Sequence, residues 1–320
     1  MSGLRFLFCA LLSVAIIPVA FCQFTGVSSQ FDGLRSSINP AATDQDYLIY
    51  DGFYHRKVEG SFYSGLSAWS GSAVRQAALQ LQFYPASIRF RTFQWFSKFD
   101  LFRDQFGATA FQYLQGSAGV QLITGQGNYL AGAFTLGYQQ MSIDLGGQQL
   151  VQIGDPLQDA RYAVGSPQVG MGIFYDHRYQ DRHDFFVGVS LPGIFVFDQI
   201  ISKEQQEVSL VLSPAILVGM NYFLSDYAYL EPVLVVHQQQ SWTANIRFHF
   251  RRAFWVGGGV AANRASAEAG FRFRNLIRDG SLQRSHKNYW RLSMGYRFGT
   301  GKFYTVESAN VQFRIAYLIN

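Results

Sequence analysis

Three stretches toward the C-terminal end alternate two kinds of residue with a period of two. Trp242, Ala244, Ile246, Phe248 and Phe250 alternate with Thr243, Asn245, Arg247 and His249. Trp290, Leu292, Met294, Tyr296 and Phe298 alternate with Arg291, Ser293, Gly295 and Arg297. Val311, Phe313, Ile315, Tyr317 and Ile319 alternate with Gln312, Arg314, Ala316 and Leu318. An extended strand puts successive side chains on opposite faces, so each stretch reads as a strand with an apolar, aromatic face and a second face that includes charges. Such strands have two settings. In a soluble sandwich the apolar face is the core; in a membrane barrel it meets lipid and the polar face lines the lumen.

Composition favours the barrel. Charged residues are 15% of the 320, against roughly 25% in ordinary soluble domains. Aromatic residues are 17%, with 30 Phe, 18 Tyr and 31 Gly. Mean hydropathy is only +0.02, which excludes a bundle of membrane helices. In lipid, strands must then close on themselves, because lipid cannot satisfy an open sheet edge. The expected fold is all-β: a transmembrane antiparallel barrel of about 14 strands (range about 12–16) with a non-regular N-terminal segment able to enter the lumen.

The N-terminus reads as a secretory signal over residues 1–22. Arg5 precedes an apolar run from Phe6 to Phe21, and Pro18-Val19-Ala20-Phe21-Cys22 forms the cleavage region. Acylation at Cys22 is a weaker reading, since Phe21 sits where such signals want a small residue. Cys9 and Cys22 are the only cysteines, so a processed chain has neither disulfides nor thiolate chemistry. Residues 23–45 are polar, Ser-rich and aperiodic, and form an expected periplasmic or plug segment. The barrel occupies 46–320. The net charge of +5 lacks the concentrated basic face of a nucleic-acid partner.

Candidate strands run over 46–62, 75–85, 105–115, 117–125, 128–143, 168–178, 183–192, 207–223, 226–238, 240–250, 253–262, 265–274, 288–298 and 309–319. The polar stretches 86–104, 144–167, 193–206 and 275–287 read as loops. Gly170 and Gly172 share one strand face, as do Gly257 and Gly259. Paired strand glycines mean either close approach of a neighbour to the wall, such as a plug, or local sheet curvature.

Chemistry is sparse. His55, His177, His183, His237, His249 and His286 are scattered without metal-ligand spacing. Gly257-Gly258-Gly259 lacks the spacing of a dinucleotide loop. No Ser/His motif supports a hydrolase. The reading assigns no catalytic, cofactor-binding or metal residue, and no enzyme.

Several ordered motifs carry a resemblance. Ile38-Asn39-Pro40-Ala41 precedes the first strand, and Tyr54-His55-Arg56 follows. Gly154-Asp155-Pro156 leads to Ser166-Pro167-Gln168-Val169-Gly170-Met171-Gly172-Ile173-Phe174-Tyr175. Phe185 to Pro192, Phe254 to Gly258 and Ala267 to Phe271 come next. Their order and spacing resemble the PorP/SprF family of type IX secretion system membrane proteins of Bacteroidetes. Two departures stand out. The chain ends Tyr317-Leu318-Ile319-Asn320 without a terminal aromatic, and Ala42 stands where members often carry an aromatic. The resemblance implies an outer-membrane barrel of about 14 strands that works with secretion or gliding components. It implies export or surface attachment of a cargo adhesin carrying a sorting domain, by protein binding and without catalysis. The motif residues Ile38, Asn39, Pro40, Ala41, Asp155, Pro156, Ser166, Pro167, Gly170, Gly172 and Tyr175 are the expected structural or partner-facing positions. The alternative is a channel or hydrophobic small-molecule transporter of the fatty-acid-uptake type; a soluble sandwich adhesin is a third reading.

Overall fold

A computed structural model describes residues 38–42, 56–65, 75–84, 93–106, 109–124, 128–144, 161–177, 183–191, 196–197, 208–209, 214–237, 242–251, 253–261, 264–274, 288–299 and 310–319. The strands in chain order are β1 (Arg56–Gly65), β2 (Arg75–Phe83), β3 (Phe93–Phe106), β4 (Thr109–Thr124), β5 (Asn128–Asp144), β6 (Arg161–His177), β7 (His183–Leu191) and β8 (Val196–Phe197). Then come β9 (Val208–Ser209), β10 (Ala215–Ser225), β11 (Ala228–His237), β12 (Trp242–Phe250), β13 (Phe254–Ala261), β14 (Arg264–Arg274), β15 (Tyr289–Gly299) and β16 (Asn310–Ile319). Fourteen of them form one closed antiparallel meander, while β8 and β9 pair apart as a two-stranded sheet. β1 closes the barrel on β16, from Arg56 opposite Ile319 to Gly65 opposite Asn310.

The two faces are sorted as the alternation requires. Phe134, Leu136 and Ile173 are 66%, 69% and 63% exposed on the outside. Lys57, Glu59, Lys98, Asp100, Arg247, Arg291 and Arg314 are buried on the inside. Among the described residues, buried polar side chains outnumber buried apolar ones. Water would oppose that outer surface at about 25 cal/mol per Å²; a bilayer accepts it. The apolar band has visible limits. On β5 it runs from Leu130 through Phe134 to Tyr138 and then gives way to Gln140. On β3 it ends at Leu101, beyond which Arg103 and Gln105 point outward. A tilted crossing needs about 9–11 residues, whereas β4, β5 and β6 have 16, 17 and 17. These strands overshoot the bilayer at the end opposite the chain termini. From that same end leave the intervals between Asp144 and Arg161 and between Leu191 and Ala215.

The count of 14 barrel strands agrees with expectation, but through two errors that cancel. Residues 86–104 were expected to be a loop and instead supply most of β3. Lys98, Asp100 and Asp104 suggested solvent, yet all three point into the lumen, where charge is permitted. Stretches 105–115 and 117–125 were expected as two strands; apart from the start of the first, which ends β3, they form the single strand β4. Gly116 alone separates the two expected strands, but Ser117 Oγ lies 2.8 Å from Thr135 Oγ1 across to β5 and the ladder continues through Gly116. Strand β6 starts at Arg161, inside the expected loop 144–167. The expected strand 207–223 becomes β9 plus β10, and β8 falls in the expected loop 193–206. The first expected strand, 46–62, is described only from Arg56.

The membrane setting predicts a position-dependent cost. Phe134→Arg, in the middle of the band, should destabilise the barrel by about 2–4 kcal/mol, and Gln140→Arg on the same face by about 0–1 kcal/mol. Urea titration of refolding into vesicles measures both. Equal costs would contradict the assigned band.

Candidate functional site

Residues of the luminal face fall into rows that run across the strands. One row is made of small side chains. Ala215 of β10 faces Ser190 of β7, which faces Gly172 of β6. Gly172 faces Ala133 of β5, which faces Gly119 of β4. Phe96 of β3 ends the row, its ring filling the space beside Gly119. Five strands thus present a shallow trough, bordered by Phe174, Phe186 and Leu217, all buried.

Ile38–Ala42 lies in this trough. Its Ile38, Ala41 and Ala42 side chains belong to the same buried apolar cluster as Phe96, Ala131, Ala133, Phe174 and Leu217. Asn39, wholly buried, organises the segment in two directions. Its own turn forms when Ala41 N donates to Asn39 Oδ1 and Ala42 N donates to Asn39 O, each at 2.9 Å. Asparagine suits such a turn because its side chain bonds the backbone two residues on, and Pro40 holds φ near the required value. Toward the wall, Asn39 Nδ2 donates to Ile173 O at 2.9 Å and Val189 O at 3.4 Å. Ser190 Oγ donates to Ile38 O at 2.5 Å, and Lys98 Nζ donates to Ala42 O. The ammonium also stands 5.2 Å from the Phe96 ring centroid.

The wall beneath Asn39 admits no side chain. A Cβ on Gly172 would stand 2.2 Å from Asn39 Oδ1 and 3.0 Å from Pro40 Cδ, and one on Gly188 would stand 2.4 Å from Asn39 Nδ2. The result is a slot between two glycines that ends in two carbonyl oxygens. It accepts a group with N–H donors and repels a carboxylate.

Elsewhere among the described residues the luminal wall carries ion pairs. Glu59 Oε2 meets Lys57 Nζ at 2.8 Å and Arg291 at 2.5 Å, while Oε1 stands 3.2 Å from Arg314 Nε. Arg247 lies between Glu268 and Glu231, the latter at 3.7 Å, and His249 Nε2 is 2.8 Å from Glu231. No group of three potential metal ligands occurs among the described residues.

The expected positions separate. The structure brings Ile38, Asn39, Pro40, Ala41 and Gly172 together. Gly170 lies one luminal position along β6, opposite Thr135. Ser166 is buried on that face and donates to Pro167 O at 3.3 Å, while Pro167 itself is exposed outside. Tyr175 also points outward, its hydroxyl 3.1 Å from His177 Nδ1 and its ring beside Phe185, in an aromatic group at the terminus end of the outer face. Asp155 and Pro156 lie outside the described residues. Gly257 and Gly259, the other paired glycines, face no luminal segment among the described residues. They make room for the Arg247 and Asn245 side chains of β12. Sequence reasoning missed Lys98, Gly188 and Ser190. The alternation Phe186-Gly188-Ser190 on β7 was a readable signal, while Lys98 was hidden in a stretch taken for a loop.

The closed antiparallel meander, apolar outside and polar within, is that of an outer-membrane β-barrel. The family model for the type IX secretion system membrane protein PorP/SprF matches residues 27–317, and the chain belongs to that family. Its fold is similar to the Pseudomonas putida toluene transporter TodX, with a TM-score of 0.53 at 7% identity, covering 89% of this chain and 94% of that one. A Pseudomonas aeruginosa FadL homologue gives 0.49 at 8% identity, covering 82% and 89%. The translocator domain of the Neisseria meningitidis autotransporter NalP gives 0.44 at 13%, covering 86% and 91%. At these identities the likeness concerns the fold alone. No protein of curated function matches the chain.

The slot predicts which substitutions release the segment. In a chain with Cys9→Ser and Cys22→Ser, Ala41→Cys should react with a maleimide slowly. Adding Gly172→Ala should accelerate the reaction by about tenfold or more, since a buried polar group left unsatisfied costs about 1–3 kcal/mol. Gly132→Ala, whose added Cβ meets nothing within 4 Å, should leave the rate unchanged.

Proposed function

We propose that this barrel serves type IX secretion by binding protein rather than by conducting solutes or by catalysis. Its task is to assist export, or surface attachment, of a cargo adhesin with a sorting domain. The single observation that carries the reading is the seating of Ile38–Ala42 across the trough, inside a chain of this secretion family. On this reading, residues 23–45 form a plug segment whose anchor is Asn39. With the lumen occupied, recognition falls to the end opposite the termini. There β3 to β6 rise past the apolar band, and there the two long intervals between Asp144 and Arg161 and between Leu191 and Ala215 begin and end. Loops on a rigid scaffold are where binding residues concentrate.

The ionic lumen supports the same assignment over hydrophobic uptake. A greasy substrate would have to pass Lys57, Glu59, Arg291 and Arg314, all buried on the luminal wall, and desolvate against them at a cost.

Deletion of the gene tests the reading. The expected outcome is selective loss of one or a few sorting-domain proteins from the cell surface or medium, measured by surface and secreted proteomics. Restoration by the full chain should follow, but not by a chain with 145–160 replaced by a Gly-Ser linker. An unchanged surface and secreted proteome would overturn it, as would rapid uptake of hydrophobic probes that the deletion abolishes.

A further inference from the structure

The slot holds Asn39 by chemistry that takes no account of its covalent link to the barrel. Two main-chain carbonyls, of Ile173 and Val189, both accept from one Nδ2 group. They select a carboxamide over a carboxylate, and Gly172 and Gly188 exclude anything that thickens the wall. The other two hydrogen bonds from the barrel, Ser190 to Ile38 O and Lys98 to Ala42 O, go to main-chain oxygens. They are indifferent to the side chains at those positions. The seat therefore reads one asparagine and the backbone of a turn.

One luminal position beyond Gly119, in the next row of the wall, stands a polar group that no described residue satisfies. Gln121 is 0% exposed, and neither its Oε1 nor its Nε2 has a hydrogen-bond partner among the described residues. It points into the lumen from β4, two residues from Gly119, between Ala131 of β5 and Gln94 of β3. Burial of a carboxamide with neither end satisfied is unfavourable. One donor and one acceptor side by side are the complement of a single peptide unit.

We propose that the slot is a polypeptide-binding site whose resident occupant is Ile38–Ala42, and that another polypeptide presenting an Asn-Pro turn takes its place and pairs a peptide unit with Gln121. The inference rests on the reading of residues 23–45 as a plug segment. It adds that the seat is exchangeable and names the chemical class of the competitor.

The test uses the full chain in detergent and a fluorescein-labelled peptide copying residues 36–45. Asn39→Ala weakens the resident without touching the wall. Saturable binding is expected to this variant, with affinity about tenfold or more above that of the Asn39→Ala, Gly172→Ala double variant. A peptide with Asp in place of Asn should bind about tenfold or more weaker, and Gln121→Leu in the Asn39→Ala chain should weaken binding by about tenfold. Heat-dependent migration in gels verifies that each barrel is folded. If Gly172→Ala does not fold, Gly188→Ala replaces it in the Asn39→Ala chain. A Cβ on Gly188 would stand 2.4 Å from Asn39 Nδ2, so this slot too should refuse the peptide. No saturable binding to a folded Asn39→Ala chain overturns the proposal. So does equal binding of the Asp peptide, or equal binding by the blocked slot. An unaltered affinity in Gln121→Leu overturns the role given to Gln121. Failure here with Ala41→Cys still protected leaves the plug reading standing, whereas rapid labelling of Ala41→Cys in the otherwise unaltered wall overturns the plug itself.

Discussion

Everything in this molecule depends on the pairing of β1 with β16. In lipid an unpaired N–H or C=O has no water to turn to, so a sheet of this size survives only if its two edges meet. Ten residue pairs, from Arg56 with Ile319 to Gly65 with Asn310, accomplish this. Closure then has a second consequence. A 14-stranded wall encloses more space than its own side chains can fill. The lumen must therefore hold something, and the polar and ionic inner face settles what kinds of neighbour it accepts.

The seat of Ile38–Ala42 follows from register rather than from any one strand. Ala215, Ser190, Gly172, Ala133 and Gly119 come from five strands and are small one by one for no local reason. Only the ladder places them side by side. A slip of one residue would turn a strand's small residue toward lipid, and in β6 or β7 it would put Met171 or Ile173, Val189 or Leu191 in the trough. The glycines weaken their strands slightly, and what they provide in return is the approach of Asn39 to two carbonyl oxygens. On the opposite wall, Glu59 among Lys57, Arg291 and Arg314 shows the other solution to a wide lumen, in which long side chains reach inward and converge on one carboxylate.

How much of this was legible varies with the physics behind each signal. Strands such as Trp242–Phe250 and Asn310–Ile319 were readable because alternation is a local property of a two-faced strand. Strand β3 was not, because Lys98, Asp100 and Asp104 look the same whether they meet bulk water or a polar lumen. The motif around Asn39-Pro40 was visible, and so was the oddity of Gly170 and Gly172. That Gly172 meets Asn39, while Gly257 meets Arg247 instead, was not. The two pairs are alike in sequence, and their neighbours come from other strands. Pro167 and Tyr175 belong to the same motif as Gly172 yet face lipid, since a strand motif necessarily straddles both sides of the wall.

The sequence by itself determined the class of fold, the outward face of most strands and the family, because periodicity, low charge content and motif order are written along one dimension. It also placed an asparagine-proline element ahead of the barrel. The tertiary structure decided how that element turns and where it goes, which glycines open the slot, and that Ser190 and Lys98 donate to its main chain. It also left Gln121 buried one luminal position from Gly119, its amide unmet among the described residues. Those are meetings between residues separated by 56 to 152 positions, and only the closed, registered sheet brings them within hydrogen-bonding distance.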